Sequence, residues 1–407
     1  MGFKLITIDI LKSLFNSYES YKEKQLNPAF IKYDQLQNLI KQLNDKKQFQ
    51  VSQLGESVEC RAINSISFGS GKIKILSWSQ MHGDEPTATA AIFDLLKFFA
   101  QSDEYDNFRN NLLNKITFYF VPMLNPDGAE RFQRENAFNI DLNRDALRLQ
   151  SPESKILWHY AEKLEPEFGF NLHDQSWYYT AGRTENNASI SLLAPAMNRA
   201  KSINYIRERS MQVITEIYNT LSQFIPGNIA RYSDEFEERA FGDNLTRSGI
   251  STILIESGYF KNDVNKDFIR KLNFTALLSA FHSIAEENYE KIDYTKYLLI
   301  PENAERLFDI LLKNVSIYSN GCKYIVDIGI KRKKFRDDIT NEFYYKSKID
   351  QIGDLSVFNG IEELDMRGFE IKSLNRIAAD EEATFQLYKE GKLKQSVING
   401  FIENDVS

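Results

Sequence analysis

Residues 73–99 constrain the fold of this chain more than any other stretch. Ile73-Lys74-Ile75-Leu76-Ser77-Trp78 alternates apolar and polar, and from Thr87 onward Ala91, Ile92, Leu95, Leu96 and Phe99 recur at helical spacing. Between the two lies Ser79-Gln80-Met81-His82-Gly83-Asp84-Glu85-Pro86. A period that changes from two to 3.6 across so short a segment predicts strand, tight loop, helix, with His82 and Glu85 on the loop at the strand's carboxyl end. Open α/β sheets place their ligand sites at that end. An imidazole and a carboxylate three residues apart can reach one small cation, and nitrogen plus oxygen donors suit zinc. The same spacing also occurs in a loop whose histidine is merely hydrogen-bonded, so later segments have to decide.

Residues 115–123 are a β-branched and aromatic run, hence a buried strand, and Asn125-Pro126-Asp127-Gly128 is a turn that ends it. The following loop carries Arg131, Arg134, Arg144 and Arg148, with Asp141-Leu142-Asn143-Arg144 inside it. Ser151-Pro152 starts a helix running to about Leu164. Phe168-Gly169-Phe170-Asn171-Leu172 reads as a short buried strand delivering His173. Asp174, Gln175, Trp177, Tyr178 and Tyr179 then either line subsites or pack as an aromatic cluster. Residues 197–224 have the pattern of one long amphipathic helix, and residues 228–244 form a long excursion containing Tyr232. Thr252-Ile253-Leu254-Ile255 is a short apolar strand with Glu256 at its end. His159 and His282 lie on helices and read as packing residues.

The motifs His82-Gly83-Asp84-Glu85, Asn125-Pro126-Asp127-Gly128, Arg134, Asp141-Leu142-Asn143-Arg144, Asn171-Leu172-His173 and Ile255-Glu256-Ser257-Gly258, in that order, resemble the zinc metallocarboxypeptidase family. The resemblance covers residues 55–290. It implies an α/β domain with a mixed, twisted sheet flanked by helices, and one zinc ion per chain held by His82, Glu85 and His173. Two imidazoles and a carboxylate leave a fourth position for water, the composition of a catalytic rather than a structural zinc site. Such a metal lowers the pKa of its water and polarises the scissile carbonyl. Glu256 is then the general base, Arg134 the stabiliser of the oxyanion, and Asn143 and Arg144 the holders of the substrate's free carboxylate. A planar guanidinium grips a carboxylate by two parallel hydrogen bonds. The expected activity is hydrolysis of the carboxyl-terminal amide bond of a peptide. His173 follows Glu85 by 88 positions, and the family's mobile tyrosine has no firm counterpart, Tyr232 fitting loosely. The short core also brings in the related aspartoacylase and succinylglutamate desuccinylase branch, whose substrates are small acylated amino acids. A third reading, from a different class, is an inactive relative that holds carboxyl-terminal peptides.

The chain has 407 residues, 42% of them apolar and 13% aromatic, enough for a large domain of residues 1–300 and a smaller one. Residues 1–50 are read as helices on the outside of the sheet. Beyond residue 300, Asn320-Gly321, Asn359-Gly360 and Asn399-Gly400 each separate β-type runs and predict hairpins, so residues 301–407 are read as a small β-rich domain of unknown role. Lys331-Arg332-Lys333-Lys334 is read there as a solvated turn. A net charge of −7 argues against nucleic acid or an anionic membrane as the main partner. Cys60 and Cys322 are the only cysteines and make neither a disulfide framework nor a metal motif. No run approaches 18 apolar residues, and residues 1–9 carry charges within their apolar run, so the expectation is a cytoplasmic protein without a membrane span. Oligomeric state is not encoded in any visible pattern.

Overall fold

Alternation of large apolar side chains on successive strands builds a sheet with two covered faces. The computed structural model describes residues 2–337, 339–340, 342–373 and 376–404. Two compact units emerge: residues 1–177 with 186–303, and residues 178–185 with 304–407.

The first unit opens with α1 (Gly2–Asn16) and α2 (Tyr33–Leu43), followed by β1 (Gln50–Glu56), β2 (Ala62–Gly69), β3 (Ile73–Ser79), α3 (Thr87–Ala100), α4 (Asp106–Lys115), β4 (Ile116–Val121), α5 (Pro126–Arg131) and α6 (Pro152–Leu164). Next come β5 (Phe168–Asp174), β6 (Tyr179–Ala181, in the excursion that belongs to the second unit), β7 (Ile190–Leu193), α7 (Tyr205–Leu221), β8 (Ile229–Arg231), α8 (Phe241–Arg247), β9 (Ser251–Ser257) and α9 (Asp267–Ala285). The eight-stranded sheet runs β1-β2-β4-β3-β5-β9-β7-β8. Its centre, β4-β3-β5-β9, is parallel, whereas β1-β2, β2-β4 and β7-β9 are antiparallel. It is the mixed α/β sheet that the sequence predicts.

Parity along the central strands sets what faces where. Ile75, Phe168, Phe170, Leu172, Ile253 and Ile255 enter one core with residues of α3, α7 and α9, while Leu76 and Trp78 enter a second core with Leu157 of α6 and Phe241 and Leu245 of α8. His173 and Glu256 follow in the opposite phase to the first group, and they are directly paired across β5 and β9. Both therefore stand on the α6/α8 face at the carboxyl end of the parallel strands.

A buried ion pair ties the amino-terminal segment to this frame. Asp94 of α3 and Arg270 of α9 are both fully buried. Asp94 accepts from Arg270 Nε, from the Tyr18 hydroxyl and from the Glu23 N–H, each at 2.7 Å, and Arg270 also donates to the carbonyls of Glu23 and Leu26. Removing one partner strands the other charge. Asp94→Ala is therefore expected to lower unfolding free energy by about 3–5 kcal/mol in a urea titration, while Asp94→Ala combined with Arg270→Met costs less than Asp94→Ala alone.

Several local expectations change. Asn125-Pro126-Asp127-Gly128 does not simply end a strand: Asn125 caps α5, accepting from Gly128 N–H at 2.9 Å, and Pro126 stands in its first turn. The predicted helix at 197–224 starts only at Tyr205, because Asn204 caps it by accepting from Arg207 N–H at 3.1 Å. The excursion after residue 228 contains β8 and α8 and is reduced to residues 232–240.

In the second unit β10 (Asn303–Glu305) pairs with β6, and β11 (Leu307–Ser319), β12 (Cys322–Arg336), β13 (Phe343–Gly353), β14 (Asn359–Asp365), β15 (Phe369–Lys372), β16 (Phe385–Lys389), β17 (Lys392–Ile398) and β18 (Phe401–Asn404) form one sheet. Asn320-Gly321 and Asn399-Gly400 are hairpin turns with positive φ at both residues, as predicted. Asn359-Gly360 is not. It opens β14, which pairs parallel to β11, and neither residue has positive φ. The hairpin between β16 and β17 uses Glu390-Gly391 instead. Lys331-Arg332-Lys333-Lys334 lies inside β12 rather than in a turn, its charges tolerated because Lys331 pairs with Asp350 and Glu305 and Arg332 with Asp309. Both cysteines are free and exposed. No helix among the described residues is long and apolar enough to cross a membrane.

Candidate metal centre

The loop after β3 has little freedom. Gln80 adopts a positive φ of 49°, its Nε2 donates to Gly83 O at 2.9 Å, and its Oε1 accepts from Thr89 Oγ1 at 3.0 Å. Gly83 has to be glycine, since a Cβ there would stand 2.0 Å from the Gly128 backbone. Asn125 Nδ2 meanwhile donates to Met81 O at 3.3 Å and to Arg134 O at 3.2 Å. The cap of α5 thus fixes the loop of His82 and Glu85 and also the backbone that presents Arg134.

His82, Glu85 and His173 converge, all three buried. Glu85 Oε1 is 2.8 Å from His82 Nδ1, Glu85 Oε2 is 2.7 Å from His173 Nδ1, and the two Nδ1 atoms are 3.1 Å apart. His82 Nε2 lies 3.1 Å from Asp141 Oδ1. A proton on Nε2, donated to that carboxylate, leaves the Nδ1 lone pair aimed at the cluster. Three lone-pair donors facing one point fit a divalent cation, and two imidazoles with one carboxylate suit zinc. Among the described residues this is the one such cluster.

Asp141 does more than orient His82. Its Oδ2 accepts from Arg134 Nε at 3.1 Å and lies 3.0 Å from Arg134 Nη2, while its Oδ1 accepts from Asn143 N–H at 2.8 Å. Burial works against its charge, yet His82 and Arg134 hold its carboxyl well below the usual range. Arg134 in turn leans on the cluster, its Nη1 3.1 Å from His82 Nδ1 and 3.3 Å from Glu85 Oε1. Glu256 is half-buried next to His173 in the ladder, and burial together with the negative charge of Glu85 lifts its carboxyl to about 8. Asn143 and Arg144 occupy the turn after Asp141. Asn143 Oδ1 accepts from Phe241 N–H at 2.9 Å, and Arg144 is half-exposed with its Nε 3.3 Å from Glu237.

Residues 36–214 match the family model described as zinc carboxypeptidase. This part of the chain is similar to zinc carboxypeptidases. Carboxypeptidase 2 of Trichophyton rubrum is 31% identical over 114 residues, 28% of this chain, and carboxypeptidase SOL1 of Arabidopsis thaliana is 25% identical over 182 residues, 40% of this chain. The matches span only 20% and 37% of those relatives' own lengths. A metallo-carboxypeptidase from Burkholderia cenocepacia superposes with a TM-score of 0.52 at 18% identity, covering 63% of this chain and 69% of that one, and shows the shared fold.

Around this cluster, the contacts that sequence reasoning missed are those that hold His82 and Glu85 in place. Asp174 N–H donates to Glu85 Oε2 at 3.1 Å, and the Asp174 side chain is itself pinned by Thr87 and Lys266. Asp141 was visible as the first residue of its motif, but nothing in the motif says that it reaches His82. Gln80 carried no signal beyond its place in the loop. Tyr232 follows β8, and its N–H donates to Leu192 O. Since Leu192 pairs with Ile255, this backbone lies two strands from Glu256. Of the aromatic run after His173, Trp177 packs edge-on to Tyr259, while Tyr178 lies in the second unit, where its hydroxyl meets Asp309 and the Arg332 carbonyl.

Proposed function

We propose that this protein is a zinc-dependent metallocarboxypeptidase that hydrolyses the carboxyl-terminal amide bond of peptides. The observation that carries the reading is the convergence of His82, Glu85 and His173 on one point, with Glu256 beside His173 but outside the cluster. One zinc ion held by these three residues supplies Lewis-acid polarisation of the carbonyl and a water of lowered pKa.

The chain's own residues do the rest. Glu256 takes the proton of the attacking water and delivers it to the leaving nitrogen. Arg134, fixed by Asp141 and turned toward the ligand cluster, balances the negative charge that develops on the carbonyl oxygen. Asn143 and Arg144 hold the terminal carboxylate and so decide which bond lies at the metal. Asp141 couples these roles, touching a metal ligand, the oxyanion arginine and the clamp turn at once.

The test is metal-dependent turnover of blocked dipeptides. Chelation is expected to abolish hydrolysis, and one equivalent of zinc per chain to restore it. Glu85→Ala is expected to lose the metal by elemental analysis together with the activity. Hydrolysis of N-acetyl or N-succinyl amino acids faster than of any peptide moves the assignment to the deacylase branch. Zinc-loaded protein that turns over neither substrate class, yet binds carboxyl-terminal peptides, is the inactive relative.

A further inference from the structure

Arg144 already has a carboxylate on it. Its Nε lies 3.3 Å from Glu237 Oε2, and its Nη1 donates to the Asn143 carbonyl at 2.8 Å. Glu237 belongs to the segment between β8 and α8, and a second arginine grips it from the other side. Arg239 Nε donates to Glu237 Oε1 at 2.9 Å, Nη2 to Oε2 at 2.8 Å, and the Arg239 N–H to Oε1 at 3.1 Å. The segment is stitched to the clamp turn by Ala146 N–H to Arg239 O at 3.0 Å and by Phe241 N–H to Asn143 Oδ1 at 2.9 Å. Glu237 N–H also donates to Asp243 Oδ1 at 3.3 Å. Glu237 is therefore placed on the clamp by contacts that the residues just after it, Arg239 and Phe241, make with the clamp turn, not by the chance reach of a long side chain.

We infer that Glu237 is a specificity-determining residue, an internal carboxylate that the substrate's terminal carboxylate must displace from Arg144, with Arg239 retaining Glu237 after displacement. The inference rests on the reading of Arg144 as the carboxylate holder. The hydrogen bonds from Arg239 hold the Glu237 carboxyl down at about 2, burial opposing, so it stays ionised at any working pH and only competition removes it. Glu237 approaches Arg144 with its Oε2 3.3 Å from Nε, longer than a charge-assisted hydrogen bond, whereas an incoming carboxylate can take two parallel hydrogen bonds from the fork. An amide, an ester or a neutral end has no charge with which to compete, so the resident glutamate sharpens the preference for free acids. Side-chain exposures of 39% for Arg144 and 31% for Glu237 make the pair exchangeable, and pairs this exposed shift affinity by only a few-fold.

Two variants move affinity in opposite directions. In the full-length, zinc-loaded protein Glu237→Gln is expected to lower KM for a blocked dipeptide with a free carboxyl end about 2- to 5-fold, with kcat unchanged. Arg239→Gln leaves Glu237 to Arg144 alone and is expected to raise the same KM. Equilibrium binding of an N-acetylated amino acid to the metal-free protein should follow the same order, independently of turnover. Damage to the segment shifts both variants the same way, so two increases in KM, or no change in either while the parent still rejects the amidated dipeptide, overturns the inference. A parent that cleaves free and amidated dipeptides alike overturns the Arg144 reading first, and this inference with it.

Discussion

Glu256→Gln protein is expected to keep its zinc and to lose about 100-fold or more in kcat. The amide preserves the shape and polarity of the side chain beside His173 but cannot accept a proton from water. Because Glu256 stands outside the cluster of His82, Glu85 and His173, metal content by elemental analysis should match the parent. A variant that loses zinc instead makes Glu256 a ligand and overturns its assignment. Burial and the charge of Glu85 lift this carboxyl to about 8, and a divalent cation in the site draws it back down. A base works only when ionised, so kcat/KM of the parent should fall as pH drops through a value below 8. In chelated protein the sign for stability is the reverse of the usual carboxylate case. A raised pKa means that the folded state binds the proton more tightly than the unfolded chain, so stability is lost as pH rises from the unfolded value through about 8. The glutamine variant lacks that loss, and its Tm should exceed that of the parent at pH 8.5 but not at pH 4.

Peptides with a free carboxyl end are expected to be hydrolysed at least about 30-fold more efficiently than their amidated counterparts. The warrant is Arg144: a free carboxylate would take the guanidinium over from Glu237 and be buried with it under the bound peptide, whereas an amide can neither displace Glu237 nor pair with the charge. Truncating one member of a buried charge pair costs about 2–5 kcal/mol, and the lower end of that range corresponds to about 30-fold. Arg144→Lys should lose most of the discrimination, because a point charge cannot reproduce the two-pronged grip. Equal cleavage of free and amidated peptides would refute the clamp. The comparison has to be run beside acylated amino acids, since a deacylase would use the same arginine on the amino-acid half of its substrate.

The local signals that proved readable were those in which one short stretch carries its own physics. The switch from alternating to helical spacing around His82 gives β3, the loop and α3. Asn320-Gly321 and Asn399-Gly400 form hairpins because both residues tolerate positive φ and the flanking strands are adjacent in the chain. Asn359-Gly360 has the same letters and a different fate. Its strand pairs parallel with β11, a partner some 50 residues earlier, so a long-range register overrides the local turn preference. Lys331-Arg332-Lys333-Lys334 fails as a turn for a related reason, since cross-strand acids that sequence cannot place stabilise it within β12.

The sequence by itself determined the kinds of groups this protein brings to its site: two imidazoles and a carboxylate suited to zinc, a glutamate at a strand end, and arginines in a loop. These follow from residue chemistry and from strand ends, which are local properties. Only the tertiary structure decided who holds whom. His82 and His173 are 91 positions apart and face each other at 3.1 Å because β3 and β5 are neighbours in the sheet. Asp141 reaches His82, Arg134 and the Asn143 N–H together, and Glu237 reaches Arg144 from beyond β8. Hydrogen bonds and ion pairs act over about 3 Å, whereas the chain separation between partners runs to scores of residues. Such pairings are set by sheet order and by the docking of loops, and no periodicity within one segment encodes them.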